Sequence, residues 1–422
     1  MIGLIILTFF LFLIWRKGVS KAFVIFFIYS LLDKGLSFGG PLQVKDVILV
    51  AFLLLLFNRK RLVSKYKYPF VLCSLLSVVS YIATAYVSTE PHWPFTIMKC
   101  IRYFGFPICF YYYVIKSKNV FPSFVRGLLY FSLFIFLYSI VETIIGTSPI
   151  VNFVNDYNGS GYNMDEAFRY GVKRIQAVFI HSTALGYYCA LVISFFMLFV
   201  SKRFRILYGI SESLYFLVIA GLIVTAFLTG TRSAIIPIAI VLAWKYKSEI
   251  FKVKNLLGYT AIFCIVVFLA STYLADYLNS ILESVLNTND NAVGSSTDMR
   301  FTQFEIAFYY WAQAPLLGNG AGYTFEVVTP QNIEMYGAES IWMPLLIDNG
   351  IIGCIAYLMC YVSALKYILS NKFNINSIVF LGLIFLINTA TSVPGFDISF
   401  ILILVMSIVA ILQEQNLKLQ RV

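Results

Sequence analysis

The stretch "AFLTGTRSAIIPIA", residues 226–239, sets the fold. An apolar run stops at Thr229, the residues Gly230, Thr231, Arg232 and Ser233 follow, and an apolar run resumes. Two hydrophobic segments joined by almost no loop describe a helical hairpin that reverses at a membrane boundary. An arginine there is costly unless its long side chain snorkels to the interface or meets an anion. Gly230 permits close approach of another backbone or a ligand. Two readings of Arg232 therefore stand side by side: a snorkelling residue that ends a hairpin, and a cation kept for an anionic group.

The rest of the chain has the same character. Of its 422 residues, 60% are hydrophobic and 12% are charged, about half the charged fraction of a soluble domain. Mean hydropathy is +0.84. Apolar stretches long enough to cross a bilayer recur from end to end. They are continuous rather than alternating, which excludes a β-barrel. The composition predicts an all-α polytopic membrane protein. The first run, "GLIILTFFLFLIW", lacks a basic n-region and a small-residue cleavage site, so it reads as a span and not as a cleaved signal. The net charge of +11 fits basic cytoplasmic loops rather than a nucleic-acid partner. The seven cysteines have no metal-type spacing and read as small buried hydrophobes. With two histidines and no Cys/His cluster, no structural zinc is expected.

The apolar runs predict about thirteen spans, within a range of about 12–14 transmembrane helices. They lie at 2–15, 22–38, 45–57, 69–87, 96–115, 124–147, 179–200, 207–229, 233–247, 256–275, 340–365, 375–393 and 397–413. The basic connections "RKGVSK", "NRKRLVSKYK", "SKRFR" and "KYKSEIFKVK" and the tail "NLKLQRV" then all fall on one side, which the positive-inside rule makes cytoplasmic. The organisation expected is N-terminal spans over 1–147, an outer loop over 148–178 and central spans with the TGTR turn over 179–275. A large outer loop over 276–339 and C-terminal spans over 340–422 complete it. From Arg300 to Trp311 the apolar spacing (Phe301, Phe304, Ala307, Phe308, Trp311) predicts an amphipathic helix on the outer membrane surface. No internal repeat is visible, so an inverted-repeat transporter is not supported.

Cations are scarce on the outer side. The large outer loops hold Arg169, Lys173, Arg174 and Arg300. Arg offers a planar fork of donors suited to phosphate oxygens, and an isoprenoid pyrophosphate would carry its charge to this depth. A second signal is "GAESIWMPLLIDNGIIG", 337–353. Glu339, at the mouth of a span, reads either as a general base or ion ligand, or as an acid favoured by the helix dipole. Asp348, beside Gly350, reads as a capping or packing residue at a kink. The glycines of "GNGAGYT", Gly318, Gly320 and Gly322, lack a following helix signature and read as a tight turn rather than a nucleotide loop. Tyr157, Tyr162, Tyr309, Tyr310, Trp311 and Tyr323 suit either sugar stacking or an ordinary interfacial belt. His181 is either a substrate ligand or a hydrogen-bonded packing residue.

These motifs resemble a family. "RIQAVFIHSTALGYY" (174–188), "TGTRSA" (229–234), "STDMRFTQFEIAF…PLLGNGAGYT" (296–324) and "ESIWMPLLIDNGIIG" (339–353) occur in the order and spacing of the O-antigen ligase and polymerase superfamily. The resemblance covers roughly 174–353, while the first 150 residues carry only hydropathy. It implies a GT-C-like fold with large periplasmic loops in a bacterial inner membrane. It also implies glycan transfer from an undecaprenyl-pyrophosphate carrier, with no metal or cofactor. Arg232 and Arg300 match the family's pyrophosphate-binding arginines, with Lys173, Arg174, His181 and Tyr323 as further substrate contacts. Ligases of the family place a His at the position occupied here by Glu339, which favours a polymerase with a carboxylate base. A carboxylate is already ionised at neutral pH. The partners implied are the lipid-linked oligosaccharide as donor and acceptor, membrane lipid and a chain-length regulator. A ligase transferring to lipid A-core is the alternative within the family. A lipid-linked oligosaccharide flippase is the alternative outside it, because Arg102, Arg126 and Glu142 lie in or near apolar runs.

Overall fold

The computed structural model describes residues 2–32, 36, 42–88, 93–117, 119–158, 168–169, 172–179, 181–250, 297–335, 338, 340–371, 374–389 and 398–419. The helices, in chain order, are α1 (Ile2–Lys17), α2 (Val19–Ser30), α3 (Val44–Phe57), α4 (Lys60–Lys65), α5 (Val71–Val87), α6 (Trp93–Phe110), α7 (Phe121–Ile145) and α8 (Pro149–Asn158). They continue with α9 (Ser182–Phe199), α10 (Lys202–Leu207), α11 (Glu212–Leu228), α12 (Arg232–Ile250), α13 (Thr297–Trp311), α14 (Trp342–Asn371), α15 (Ile375–Thr389) and α16 (Ile398–Leu419). The only strand pairing among the described residues is a two-residue ladder, Phe168 opposite Lys173 and Arg169 opposite Val172.

The protein is an all-α polytopic membrane protein. Twelve of the thirteen expected spans coincide with described helices, and the span expected at 256–275 lies outside the described residues. Among the described residues, three helices, α7, α9 and α14, are long and apolar enough to cross a bilayer by length and composition. The helices at Val19–Ser30, Val71–Val87, Glu212–Leu228 and Ile375–Thr389 are apolar but shorter, which requires tilt or local thinning of the bilayer if each crosses alone.

The bundle is organised around α9. Every residue of α9 except Thr183 is buried, as expected of a helix that is hydrophobic all round. It packs against α11, α12, α15 and α16. A second set of contacts joins α14 to α5, α13, α15 and α16. Local chemistry sets the ends. Ser211 caps α11, its hydroxyl accepting from the Leu214 N–H at 3.5 Å, and Gly146 ends α7 in the left-handed region at φ 78°. One pair of charges inside apolar segments is satisfied between helices. Arg102 donates to both oxygens of Asp46 at 2.6 and 2.7 Å, a bidentate pair joining α6 to α3.

α13 forms where the spacing predicts a helix. Gln303, Ala307 and Tyr310 face the protein, whereas Phe301, Phe304 and Phe308 are exposed. The expected apolar stripe is therefore split: Ala307 belongs to the packed face. Gln303 explains the choice, because its amide donates to the Glu334 carbonyl at 2.7 Å.

Candidate functional site

The TGTR turn is built against the segment that leads into α9. Thr229 ends α11, its hydroxyl donating back to the Ala226 carbonyl at 2.7 Å and accepting from the Thr231 N–H at 3.2 Å. Gly230 takes φ 61°, a conformation glycine adopts without strain. Arg174 lies on this turn. Its Nε donates to the Thr229 carbonyl at 2.7 Å and its Nη2 to the Thr231 hydroxyl at 3.0 Å. The same nitrogen is 3.4 Å from the Thr183 hydroxyl. His181 caps α9, its Nδ1 accepting from the Thr183 N–H at 3.1 Å. Gly186 lets α9 approach, for a β-carbon there would stand 3.0 Å from Thr231 Cβ.

A buried acid holds this segment in place. Glu142 of α7 is 3% exposed. Its carboxylate accepts from the Gln176 and Ala177 N–H groups at 3.0 and 2.6 Å, while Ala177 sits at φ 49°. Glu142 thus serves the approach to α9 rather than a transport path, and Arg102 is matched by Asp46. Two of the three charges that favoured a flippase, Glu142 and Arg102, thus have structural duties, and Arg126 is exposed on α7.

The second cluster joins the other two motifs. The chain after α13 turns through Gly318, Gly320 and Gly322, all at positive φ (76°, 134° and 92°). It docks on α14 where that helix is broken at Gly350, φ 62° and ψ −162°. The Asn319 and Gly320 N–H groups donate to the Ile347 and Asp348 carbonyls at 2.9 and 3.1 Å. Ile351 and Ile352 donate back to Pro315 and Leu316 at 3.0 and 3.1 Å. Asp348 closes the turn: its carboxylate accepts from Gly322 N–H (2.9 Å), Thr324 N–H (2.8 Å) and the Thr324 hydroxyl (2.6 Å). The glycines make a tight turn, and Asp348 packs it.

Tyr323 follows this turn, its ring 6.2 Å from that of Tyr310. Burial, then the Tyr310 phenol beside it, pushes the Tyr323 phenol above its usual pKa, so at neutral pH it is a neutral hydroxyl.

The two clusters share one end of the bundle. Trp244 of α12 donates to Asn376 of α15 at 2.9 Å. Arg232 and Asn388 are each twelve residues from that contact on antiparallel neighbours, roughly 18 Å at 1.5 Å per residue. The Asn388 carbonyl accepts from the Ile341 N–H at 3.1 Å. The start of α14 is therefore level with the start of α12.

Of the residues singled out in sequence, the structure joins Arg174 and His181 at the TGTR turn. Arg232 opens α12, and its side chain lies outside the described set. Lys173 is in the two-residue ladder, its side chain also outside that set. Glu339 lies outside the described residues, between Ala338 and Ser340, which are buried. Tyr323 belongs to the glycine turn, and Arg300 is exposed on α13, a separate element. Among the described residues no group of three or more His, Cys, Asp or Glu is arranged to hold a metal ion. Two residues escaped attention in sequence. Thr84 of α5 donates to the Leu317 carbonyl at 2.7 Å and tethers the glycine turn; nothing in its local sequence marks it. Lys99 of α6 lies near enough for its charge to act on Asp348, and a lysine inside an apolar run is itself a signal.

Residues 214–358 match the family model described as O-antigen ligase. That stretch runs from α11 through the TGTR turn, α13 and the glycine turn into α14 beyond Gly350; it takes in the TGTR turn and the glycine-turn cluster and begins after Glu142, Arg174 and His181. No curated protein matches the chain.

Proposed function

We propose, from the premise that residues 214–358 of this membrane protein belong to the O-antigen ligase/polymerase superfamily, that the chain is a polymerase of lipid-linked oligosaccharide repeat units. It transfers the growing glycan from an undecaprenyl-pyrophosphate carrier to a sugar hydroxyl of the next carrier-linked unit. The site is at the periplasmic face of the bacterial inner membrane. The observation that carries this reading is Arg174 seated on Thr229 and Thr231, directly before the N-terminus of α12. A guanidinium, threonine hydroxyls and the positive end of a helix dipole together suit a pyrophosphate.

The acceptor oxygen attacks the anomeric carbon, the bond from that carbon to the pyrophosphate oxygen breaks, and its electron pair leaves with the pyrophosphate. Arg174, Arg232 and Arg300 stabilise the leaving charge, the electrostatic contribution that usually dominates such catalysis. Glu339 takes the hydroxyl proton. One displacement inverts the anomeric centre. His181, Lys173 and Tyr323 contact the substrate around this centre, and a chain-length regulator engages the same face of the protein.

The description of the matched family as O-antigen ligase favours a second reading, transfer to a lipid A-core acceptor. Both are tested with purified protein and its pyrophosphate-linked repeat unit. Wild type should produce a ladder of glycan lengths on a gel, and Arg232→Ala and Glu339→Ala should abolish it while remaining folded. Product only when lipid A-core is supplied would establish the ligase. No product, with repeat units moved intact across vesicles, would overturn both.

A further inference from the structure

Three consecutive tyrosines follow the end of α6. Tyr111–Ile115 form a π-helical turn there, and the three phenols reach out to other segments. Tyr111 donates to the Lys67 carbonyl at 2.9 Å, Tyr112 to the Tyr66 carbonyl at 2.8 Å and Tyr113 to the Phe52 carbonyl at 2.9 Å. The last turns of α3 and the chain after α4 are thereby clamped around this turn. The clamped connection is the strongly basic stretch "NRKRLVSKYK", so it is held in place rather than left as a freely solvated loop.

The clamp fixes two cations. The Arg59 guanidinium lies 5.3 Å from the centre of the Tyr113 ring, and its Nη1 donates to the Ser20 hydroxyl at 3.3 Å. The Ser20 and Ser117 hydroxyls are hydrogen-bonded at 3.0 Å, which brings the start of α2 together with the residue after Lys116. The Lys116 ammonium is set against two rings, 5.0 Å from the centre of Tyr66 and 5.1 Å from that of Tyr111. Lys65 also stands at the Tyr66 ring, at 5.4 Å, so two ammonium groups share one ring.

No carboxylate answers these charges among the described residues, where the ion pairs join Arg102 to Asp46 and Arg205 to Glu212. The helix dipole favours cations at the ends of α3 and the π-helical turn. It does not explain where the side chains go. Arg59 turns to a ring and a hydroxyl, and Lys116 to two rings, instead of to the carbonyls of those ends. Both residues are half-buried, and burial lowers the pKa of Lys116, opposed by the Tyr66 phenol. Like charges gathered in partly desolvated positions repel one another, and an anion among them relieves that cost. Leu54 and Phe57 are exposed on the last turn of α3, just before Arg59. Apolar surface and positive charge therefore meet at one edge, as the chains and headgroup of a phospholipid require. The positive-inside rule turns this edge to the cytoplasm, toward a leaflet whose anionic lipids attract basic segments beside the membrane.

We propose that Arg59 and Lys116, steadied by Tyr113, Tyr66 and Tyr111, form a binding site for the phosphodiester headgroup of an anionic phospholipid. A guanidinium fork beside serine hydroxyls suits phosphate oxygens. The site shares no residue with the Arg174 cluster and stands independently of which acceptor the protein glycosylates.

The test is native mass spectrometry of the full-length protein in detergent, titrated with phosphatidylglycerol or with phosphatidylcholine of the same acyl chains. Wild type should retain one phosphatidylglycerol at least about fivefold more tightly than phosphatidylcholine. Arg59→Gln and Lys116→Gln should each weaken phosphatidylglycerol binding about fivefold, the effect of one basic side chain near an anionic lipid, and leave phosphatidylcholine binding unchanged. That unchanged binding shows that a variant is folded, and if Arg59→Gln does not fold, Lys116→Gln decides. Lys202→Gln removes an exposed charge from α10 and should keep the wild-type preference. Equal affinity of wild type for the two lipids would overturn the site. So would an equal loss in Lys202→Gln, which would reduce the preference to general surface charge. Inorganic phosphate at the concentration of the lipid should not displace it; displacement would assign the cluster to a free anion and overturn the lipid as its occupant.

Discussion

Gly318 and Gly350 lie backbone against backbone: a β-carbon on Gly350 would sit 2.6 Å from the amide nitrogen of Gly318. Through this contact the loop after α13 and the broken helix α14 become one unit. Both glycines are also at positive φ, 76° and 62°. Gly350→Ala adds backbone strain of about 1–3 kcal/mol to an overlap with backbone atoms that no rotamer change relieves. The protein should show a lower thermal transition and poor folded yield. Unchanged melting for Gly350→Ala would mean that the interlock is not formed.

Asp348 should behave as a structural acid. Three donors converge on it in a site where it is 4% exposed. Asp348→Ala leaves those donors without their acceptor and should cost about 3 kcal/mol. Asp348→Asn should cost less, since one oxygen still accepts. Any folded fraction of the Asn variant should keep the wild-type KM for donor. A normally stable Asp348→Asn protein that had lost all turnover would instead make Asp348 a participant in the chemistry.

Glu142 should act on the site at a distance. Its carboxylate fixes Gln176 and Ala177, two and three residues after Arg174. Glu142→Gln keeps one acceptor, while Glu142→Ala removes both. Donor affinity should fall by about tenfold in the Ala variant, and proteolysis should become faster between α8 and α9. Equal donor binding in wild type and Glu142→Ala would show that Arg174 is positioned without this anchor.

Arg174→Lys should fail to replace arginine. The guanidinium reaches the Thr229 carbonyl and the Thr231 hydroxyl with separate nitrogens, a fork that an ammonium cannot reproduce. Donor binding should weaken at least about tenfold with little change in melting temperature. Full activity of Arg174→Lys would reduce Arg174 to a packing residue.

Much of this was legible in one dimension. Continuous apolar runs demand intramembrane helices, because a lipid-exposed backbone has no other way to satisfy its polar groups. That constraint is local, so twelve described helices lie where hydropathy put them. The glycine turn was legible for the same reason, since Gly318, Gly320 and Gly322 state their backbone needs in their own identities. Side-chain partners were not. The expected apolar stripe of α13 misassigned Ala307, because helical spacing marks faces without saying which one meets protein. Glu142 and Arg102 read as transport charges in isolation, and only the approach of Ala177 and Asp46 from distant segments gave them structural roles.

The sequence by itself determined the membrane class, the helix positions and the motifs that resemble the O-antigen ligase and polymerase superfamily. Tertiary structure alone decided that the TGTR turn is completed by Arg174 from another loop and that the glycine turn locks into the break at Gly350. Helix formation depends on residues within a few positions of one another, whereas these contacts join residues tens to hundreds of positions apart. No local pattern encodes such pairs, because their energy exists only once the bundle has closed.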